Sequence, residues 1–378
     1  MKIGYITKED PTDLSAYSGT HYSMYEALKN EFEEVVQLGP IDHWYKYVAK
    51  LKGRLKTLGT DKVFKFQYDI ELAKKHAKIL DERIHQLNPD VLIGSLVSPE
   101  VAFLKTNIPL YLTTDATFPL LQDSYKSHSN LFPESIKNAM ILERQAFKKA
   151  KKLILPLEWL AESARNHYRV PDDKINVIPY GRNLSVEVGD INEFIQKRTL
   201  DDEVILLFVG VRWEEKGGPE AVKIAELLIE LGIKTKLIVV GCNPAIDKDF
   251  IDVVGFLDKQ HPKDVAKLEE LYKKASFFIL PTKAECIGMS LIEAASIGLP
   301  AISTKVGGVP EAVLHQKTGL IFDVDENPQN IAEAIKVIWS NIPQYEDMSV
   351  SAYQHYADNM NWENWAKEVR RIISSETT

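Results

Sequence analysis

Pro281-Thr-Lys-Ala-Glu285-Cys-Ile-Gly288-Met-Ser-Leu-Ile-Glu293-Ala-Ala-Ser-Ile-Gly298-Leu-Pro-Ala-Ile-Ser-Thr-Lys-Val-Gly-Gly-Val-Pro-Glu311 follows the apolar run Phe277-Phe278-Ile279-Leu280. A continuous apolar run of that length predicts a buried parallel strand, with Pro281 and Gly288 punctuating the turn that follows and a helix from Met289 to Ile297. Gly288, Met289 and Ser290 then stand at a helix N-terminus, where N–H groups without intrahelical partners and the positive dipole end favour an anion, phosphate above all. Glu285 and Glu293 flank that position. Carboxylates repel phosphate, so they are read as acceptors for hydroxyl groups on either side of it. Phosphate between two polyols describes a nucleotide sugar.

An independent stretch points the same way. Val204-Ile-Leu-Leu-Phe-Val209 predicts a second buried strand, followed by Gly210-Val-Arg212-Trp-Glu-Glu-Lys216-Gly217-Gly218 and a helical pattern through Leu231. In open α/β sheets ligands bind at the carboxyl ends of strands, which aims Arg212 and Lys216 at a diphosphate. Arg supplies a rigid fork and Lys a mobile point charge. Taken singly, either cation reads as a solvated loop residue and Glu293 as a helix-surface acid; the two elements in order, in one domain, argue otherwise.

Together these residues resemble retaining glycosyltransferases of the GT-B fold, family 4. Glu285 and Glu293 match the paired acids of that family, and Val306-Gly307-Gly308-Val309-Pro310-Glu311 and Thr318-Gly319-Leu320-Ile321-Phe322 match its downstream pattern. Cys286-Ile287 departs from the Gly-Phe usual after the first acid, which affects the shape expected for the sugar pocket. The resemblance assigns Arg212 and Lys216 to the donor diphosphate and implies a donor nucleotide with no cofactor. No His or Cys cluster has ligand spacing, and with two cations assigned to the diphosphate no metal is expected.

The N-terminal half repeats the alternation of strands and helices. Lys2–Thr7 predicts the first strand, a polar turn through Ser18, Gly19, Thr20 and His21 precedes a helix, and further strands are read near Asp90–Gly94, Ile108–Leu112 and Lys152–Pro156. Alternation of this kind predicts parallel sheets with right-handed crossovers. The expected class is α/β, GT-B, with two Rossmann-like domains facing a cleft. Residues 1–181 form the acceptor domain, 182–358 the donor domain, and the C-terminal helix 359–378 crosses back to the first domain. The resemblance places the Gly19 loop against the donor phosphates, where a side chain would collide, and sets Asp115 beneath the reacting sugar. An ordinary turn glycine and a capping Asp are the plain alternatives.

Composition sets further bounds. The chain has 378 residues, enough for about two or three domains. A net charge of −8 argues against general nucleic-acid binding. Two cysteines, Cys242 and Cys286, make no disulfide framework, and no run is long enough to span a membrane, so a cytoplasmic protein is expected. Residues 44–65 differ from the rest: Lys46, Lys50, Lys52, Arg54, Lys56, Lys62 and Lys65 face one acid, Asp61, among interleaved aromatics and leucines. This segment suits peripheral contact with an anionic membrane carrying a lipid-linked acceptor, or a solvated face that meets an acidic glycan. Two other functions fit the expected fold: a nucleotide-sugar 2-epimerase, and a non-catalytic two-domain sugar-binding protein. A Rossmann dehydrogenase is excluded because no G-x-G-x-x-G follows the first strand.

Overall fold

A computed structural model describes residues 1–184, 186–198 and 202–376, so the last two residues of the expected C-terminal segment lie outside it. The chain forms two compact units. The first comprises Met1–Tyr180 and the C-terminal segment from Trp362; the second is Gly181–Asn361.

The first unit holds a six-stranded parallel sheet of β1 (Lys2–Ile6), β2 (Glu34–Gln37), β3 (Val91–Ser95), β4 (Leu110–Thr113), β5 (Lys152–Leu155) and β6 (Ile175–Val177), in the order β2-β1-β3-β4-β5-β6. Its inner strands are buried throughout β3 and β4, which is why they read as unbroken apolar runs. The C-terminal helix Trp362–Ser375 belongs to this unit. Trp365 is fully buried, Trp362 packs on Tyr180 with ring centroids 5.1 Å apart, Arg370 pairs with Glu31 at 3.2 Å, and Glu376 bonds Lys151 and Lys152 at 3.0 and 2.8 Å.

The second unit holds β7 (Val204–Val209), β8 (Thr235–Val240), β9 (Ile251–Gly255), β10 (Phe277–Leu280), β11 (Ala301–Thr304) and β12 (Gly319–Phe322), again all parallel, ordered β12-β11-β10-β7-β8-β9. The chain therefore starts this sheet in the middle, builds outward through β9, then returns to β10 beside β7. The strand order thus reverses between β7 and β10, the switch point at which such sheets open a crevice beyond the strands' carboxyl ends. The core beneath is aromatic: Phe277 contacts Trp339 and Tyr345 edge-on at 6.0 and 5.3 Å. Among the described residues no helix is long and apolar enough to cross a membrane.

Candidate active site

Adjacency of β7 and β10 brings the two motifs of the second unit together. The backbone carbonyl of Glu215, in the loop after β7, accepts hydrogen bonds from Lys283 N at 2.9 Å and Thr282 Oγ1 at 3.2 Å, both in the loop after β10. Gly217 makes this approach possible: its φ is +78°, and a Cβ there would lie 1.9 Å from the Pro281 carbonyl oxygen. The locked loops deliver Lys216 to Glu285. Lys216 Nζ donates to Glu285 Oε2 at 2.8 Å and to the Ala284 carbonyl at 3.1 Å, while Glu285 Oε1 accepts from Cys286 N at 3.2 Å. Lys216 is 12% exposed and Glu285 14%, so this ion pair sits in a half-sheltered setting where charge is screened less than at an open surface. Arg212 lies further out, 51% exposed, with its guanidinium 3.1 Å from Glu215.

Gly288 has a φ of +76° and caps the helix Met289–Ala295, placing Met289 and Ser290 in its first turn. The helix is two residues shorter than the predicted Met289–Ile297. Ser296 turns its hydroxyl back onto the Glu293 carbonyl at 2.7 Å, and Gly298 reverses the backbone at a φ of +60°.

Glu293 is the residue whose setting the sequence conceals most. It is 3% exposed, and both of its oxygens are engaged: Lys259 Nζ donates to Oε1 at 2.8 Å and the Tyr272 hydroxyl to Oε2 at 3.1 Å. Burial and then the Glu293 charge hold the Tyr272 phenol well above its ordinary range, so it remains a donor. Lys259 and Tyr272 were missed in the sequence because they lie on a loop and a helix with no motif of their own.

In the first unit, Gly19 follows Tyr17 and Ser18 in a run of three residues with positive φ, 47°, 58° and 90°, at the entry to the helix Thr20–Glu31. Glycine takes this conformation without strain; Tyr17 and Ser18 do not. His21, in the first turn, is wholly buried and packs on the Tyr17 ring at 4.8 Å. Neither ring nitrogen has a hydrogen-bond partner, and burial pulls its pKa down to about 4.

Asp115 is half-buried just beyond β4. The Thr114 hydroxyl donates to the Ala116 carbonyl at 2.9 Å, and Phe118 N donates to the buried Glu143 at 2.8 Å, fixing the Asp115 loop from below. Glu143, unread in the sequence because it lies on the inner face of the helix Pro133–Lys149, has its carboxyl pushed up to about 7, chiefly by burial, with the Asp115 charge adding to the shift.

A pH experiment checks that environment. Because the folded pKa of Glu143 exceeds its unfolded value, the native state holds the proton more tightly. Its contribution to stability is complete below about 4.5 and is lost as pH rises through about 7. His21 has the opposite sign, its contribution being lost as pH falls from 6.5 toward 4. The expected result is that Glu143→Gln, which cannot titrate, gains a few degrees of melting temperature relative to wild type between pH 5 and pH 8. Parallel pH profiles for the two proteins would remove the assignment.

Gly19 and Asp115 thus lie in the first unit, and Arg212, Lys216, Glu285, Gly288, Met289, Ser290 and Glu293 in the second. No cluster of three His, Cys, Asp or Glu residues with metal-holding geometry occurs among the described residues.

Comparison with known proteins bears on this arrangement. A family model described as Glycosyl transferases group 1 matches residues 190–355, and one described as Glycosyltransferase Family 4 matches residues 53–186. A D-inositol 3-phosphate glycosyltransferase of Paenarthrobacter aurescens is 27% identical over 237 residues, which is 59% of this chain and 57% of that protein. The chain thus matches little more than half of that relative's length. The protein of the same name from Corynebacterium urealyticum is 24% identical, with 100% of this chain and 96% of that one aligned. Among solved structures, sucrose-phosphate synthase from Thermosynechococcus elongatus superposes with a TM-score of 0.69 at 16% identity, covering 100% of this chain and 99% of that one. Anabaena HepE in complex with UDP and glucose gives 0.65 at 15% identity, covering 99% and 100%. With the paired sheets, the matched models and these likenesses in fold, the chain belongs to the GT-B glycosyltransferases of family 4.

Proposed function

We propose that this protein transfers a sugar from a nucleoside diphosphate sugar to a hydroxyl of a glycan, lipid-linked or small-molecule acceptor, with retention at the anomeric carbon and without a metal ion. The observation that carries the proposal is the meeting of Lys216 and Glu285 at 2.8 Å on the loops that flank the β7/β10 switch point, beside the Gly288 helix start. A cation, an acid and free helix N–H groups at one sheet edge make a place for a diphosphate carrying a polyol.

In this reading Lys216, Arg212 and the N–H groups of Met289 and Ser290 bind the diphosphate and stabilise the charge that develops on it, a role that otherwise needs a metal. Glu285 orients the sugar hydroxyls. Glu293 accepts from the ribose, with Lys259 and Tyr272 holding its carboxylate in place. Gly19 leaves room for phosphate, and Asp115 contacts the reacting sugar. The bond from the anomeric carbon to the phosphate oxygen breaks while the bond to the acceptor oxygen forms on the same face, and the departing phosphate takes the acceptor's proton. The UDP bound by HepE and the inositol phosphate named for the relatives support a nucleotide donor and a polyol acceptor. A lipid-linked acceptor would bring a cytoplasmic enzyme to the membrane surface, and residues 44–65 suit that contact.

A screen of UDP-, GDP- and ADP-sugars by nucleotide release, with anomeric proton couplings read on the product, tests the proposal. One donor should turn over, its product should keep the donor's anomeric configuration, and EDTA should leave the rate unchanged. An inverted product or an EDTA-sensitive rate would overturn the corresponding part.

A further inference from the structure

The helix Tyr45–Lys56 is packed the wrong way round for a surface helix. Its buried residues are the small ones, Ala49 and Gly53, and Gly53 lies so close to Phe64 that a Cβ would sit 2.4 Å from that ring. The large apolar residues point to solvent instead. Trp44, Tyr47, Leu51, Leu55 and Leu58 are between 57 and 82% exposed. Within the helix, Tyr47, Leu51 and Leu55, spaced four residues apart, form a stripe about 80° wide at 100° per residue, with Trp44 and Leu58 just beyond its two ends, where an ordinary surface helix would turn such a stripe to the core.

The cations lie along its flanks. Lys50 and Arg54 fall on one side and Lys52 and Lys56 on the other, and Tyr45–Lys56 contains no acid. Their ammonium groups rest beside aromatic rings: Lys50 Nζ is 4.7 Å from the Phe66 centroid, Lys52 Nζ 4.9 Å from Tyr45 and Lys56 Nζ 5.7 Å from Phe64, where Lys56 also pairs with Glu134. An apolar ridge between two rows of long cations matches a bilayer interface, where rings and leucines enter the acyl boundary and lysines reach headgroup phosphates.

We infer that this helix docks the protein onto an anionic phospholipid bilayer by insertion of the Trp44–Leu58 stripe, with the flanking cations held at the headgroups. A second copy is disfavoured as the occupant, because pairing two such helices would oppose their like charges. The inference rests on surface geometry and does not depend on the donor chemistry proposed above.

The test uses the full chain with phosphatidylcholine vesicles, with or without about one-third phosphatidylglycerol, followed by co-sedimentation and tryptophan emission. Wild type should bind the anionic vesicles only, with a blue shift that Trp44→Phe abolishes. Leu51→Ser/Leu55→Ser, which keeps every charge, should bind about tenfold or more weakly. Lys50→Glu/Arg54→Glu should bind weakly as well, and 1 M salt should reduce wild-type binding as the Debye length shrinks to about 3 Å. Nucleotide affinity should be unchanged in all these variants, which separates failure here from failure of the donor site. Absence of wild-type binding at low salt, or full binding by Leu51→Ser/Leu55→Ser, would overturn the inference; so would self-association without vesicles that this double variant abolishes.

Discussion

Lys216→Ala is expected to lower kcat/KM for the donor by about 10²–10³-fold, the range seen when a preorganised charge donor to a leaving group is removed. Nucleoside diphosphate affinity should fall by about tenfold or more, since a charge-assisted hydrogen bond contributes roughly 1.5–3 kcal/mol. The size of the effect follows from its setting. Lys216 is held by Glu285 and the Ala284 carbonyl in a largely covered position, so its charge is preorganised and weakly screened. Arg212 is half-exposed beside Glu215, and Arg212→Ala should cost less than Lys216→Ala. Lys216→Met, which keeps the stem that packs on Gly210, separates charge from fold. Calorimetry with the matching nucleotide and steady-state kinetics read both quantities, and unchanged affinity in the Lys216 variants would take this residue out of the donor site.

The second large effect separates the two acids. Glu285→Gln should lower kcat by about 10²-fold or more while leaving free nucleotide affinity nearly unchanged, because the free nucleotide lacks the sugar that Glu285 orients. The amide oxygen of glutamine can still accept from Lys216, and the Ala284 carbonyl holds the same ammonium, so the cation stays in place for the diphosphate. Glu293→Gln should instead weaken nucleotide binding by about tenfold. The amide is the informative substitution at this position. Alanine would leave Lys259 and the buried Tyr272 hydroxyl without their acceptor and would mix a stability loss with the binding loss. Equal affinity losses in the two glutamine variants would contradict this division of roles.

The parts of this fold that were legible in the sequence are those where burial acts on both faces of a strand. Val204–Val209 and Phe277–Leu280 read correctly as strands because a central parallel strand is apolar along its length. Glu34–Gln37 and Ile175–Val177 went unread because they are short, partly exposed edges of the first sheet. The candidate site divides in the same way. Glu285, Gly288 and Glu293 share one loop and helix, so spacing alone groups them. Lys259 reaches Glu293 across 34 residues, and nothing in its own neighbourhood marks it. Glu143 is likewise visible only once the helix face it occupies is known. In residues 44–65 charge and aromatic content were evident, but the direction of the apolar stripe depends on Gly53 meeting Phe64, a contact that composition does not reveal.

The membership of the helix Trp362–Ser375 in the first unit sets an order of assembly. On the ribosome the second unit, contiguous from Gly181 to Asn361, emerges complete before the first has received its last helix. The apolar surface that Trp365 will cover stays open until the helix Trp362–Ser375 is synthesised, although the rest of that unit was made before the second. Arrival of that helix therefore completes the N-terminal unit, and a chain cut after residue 361 keeps a finished second unit attached to an unfinished first one.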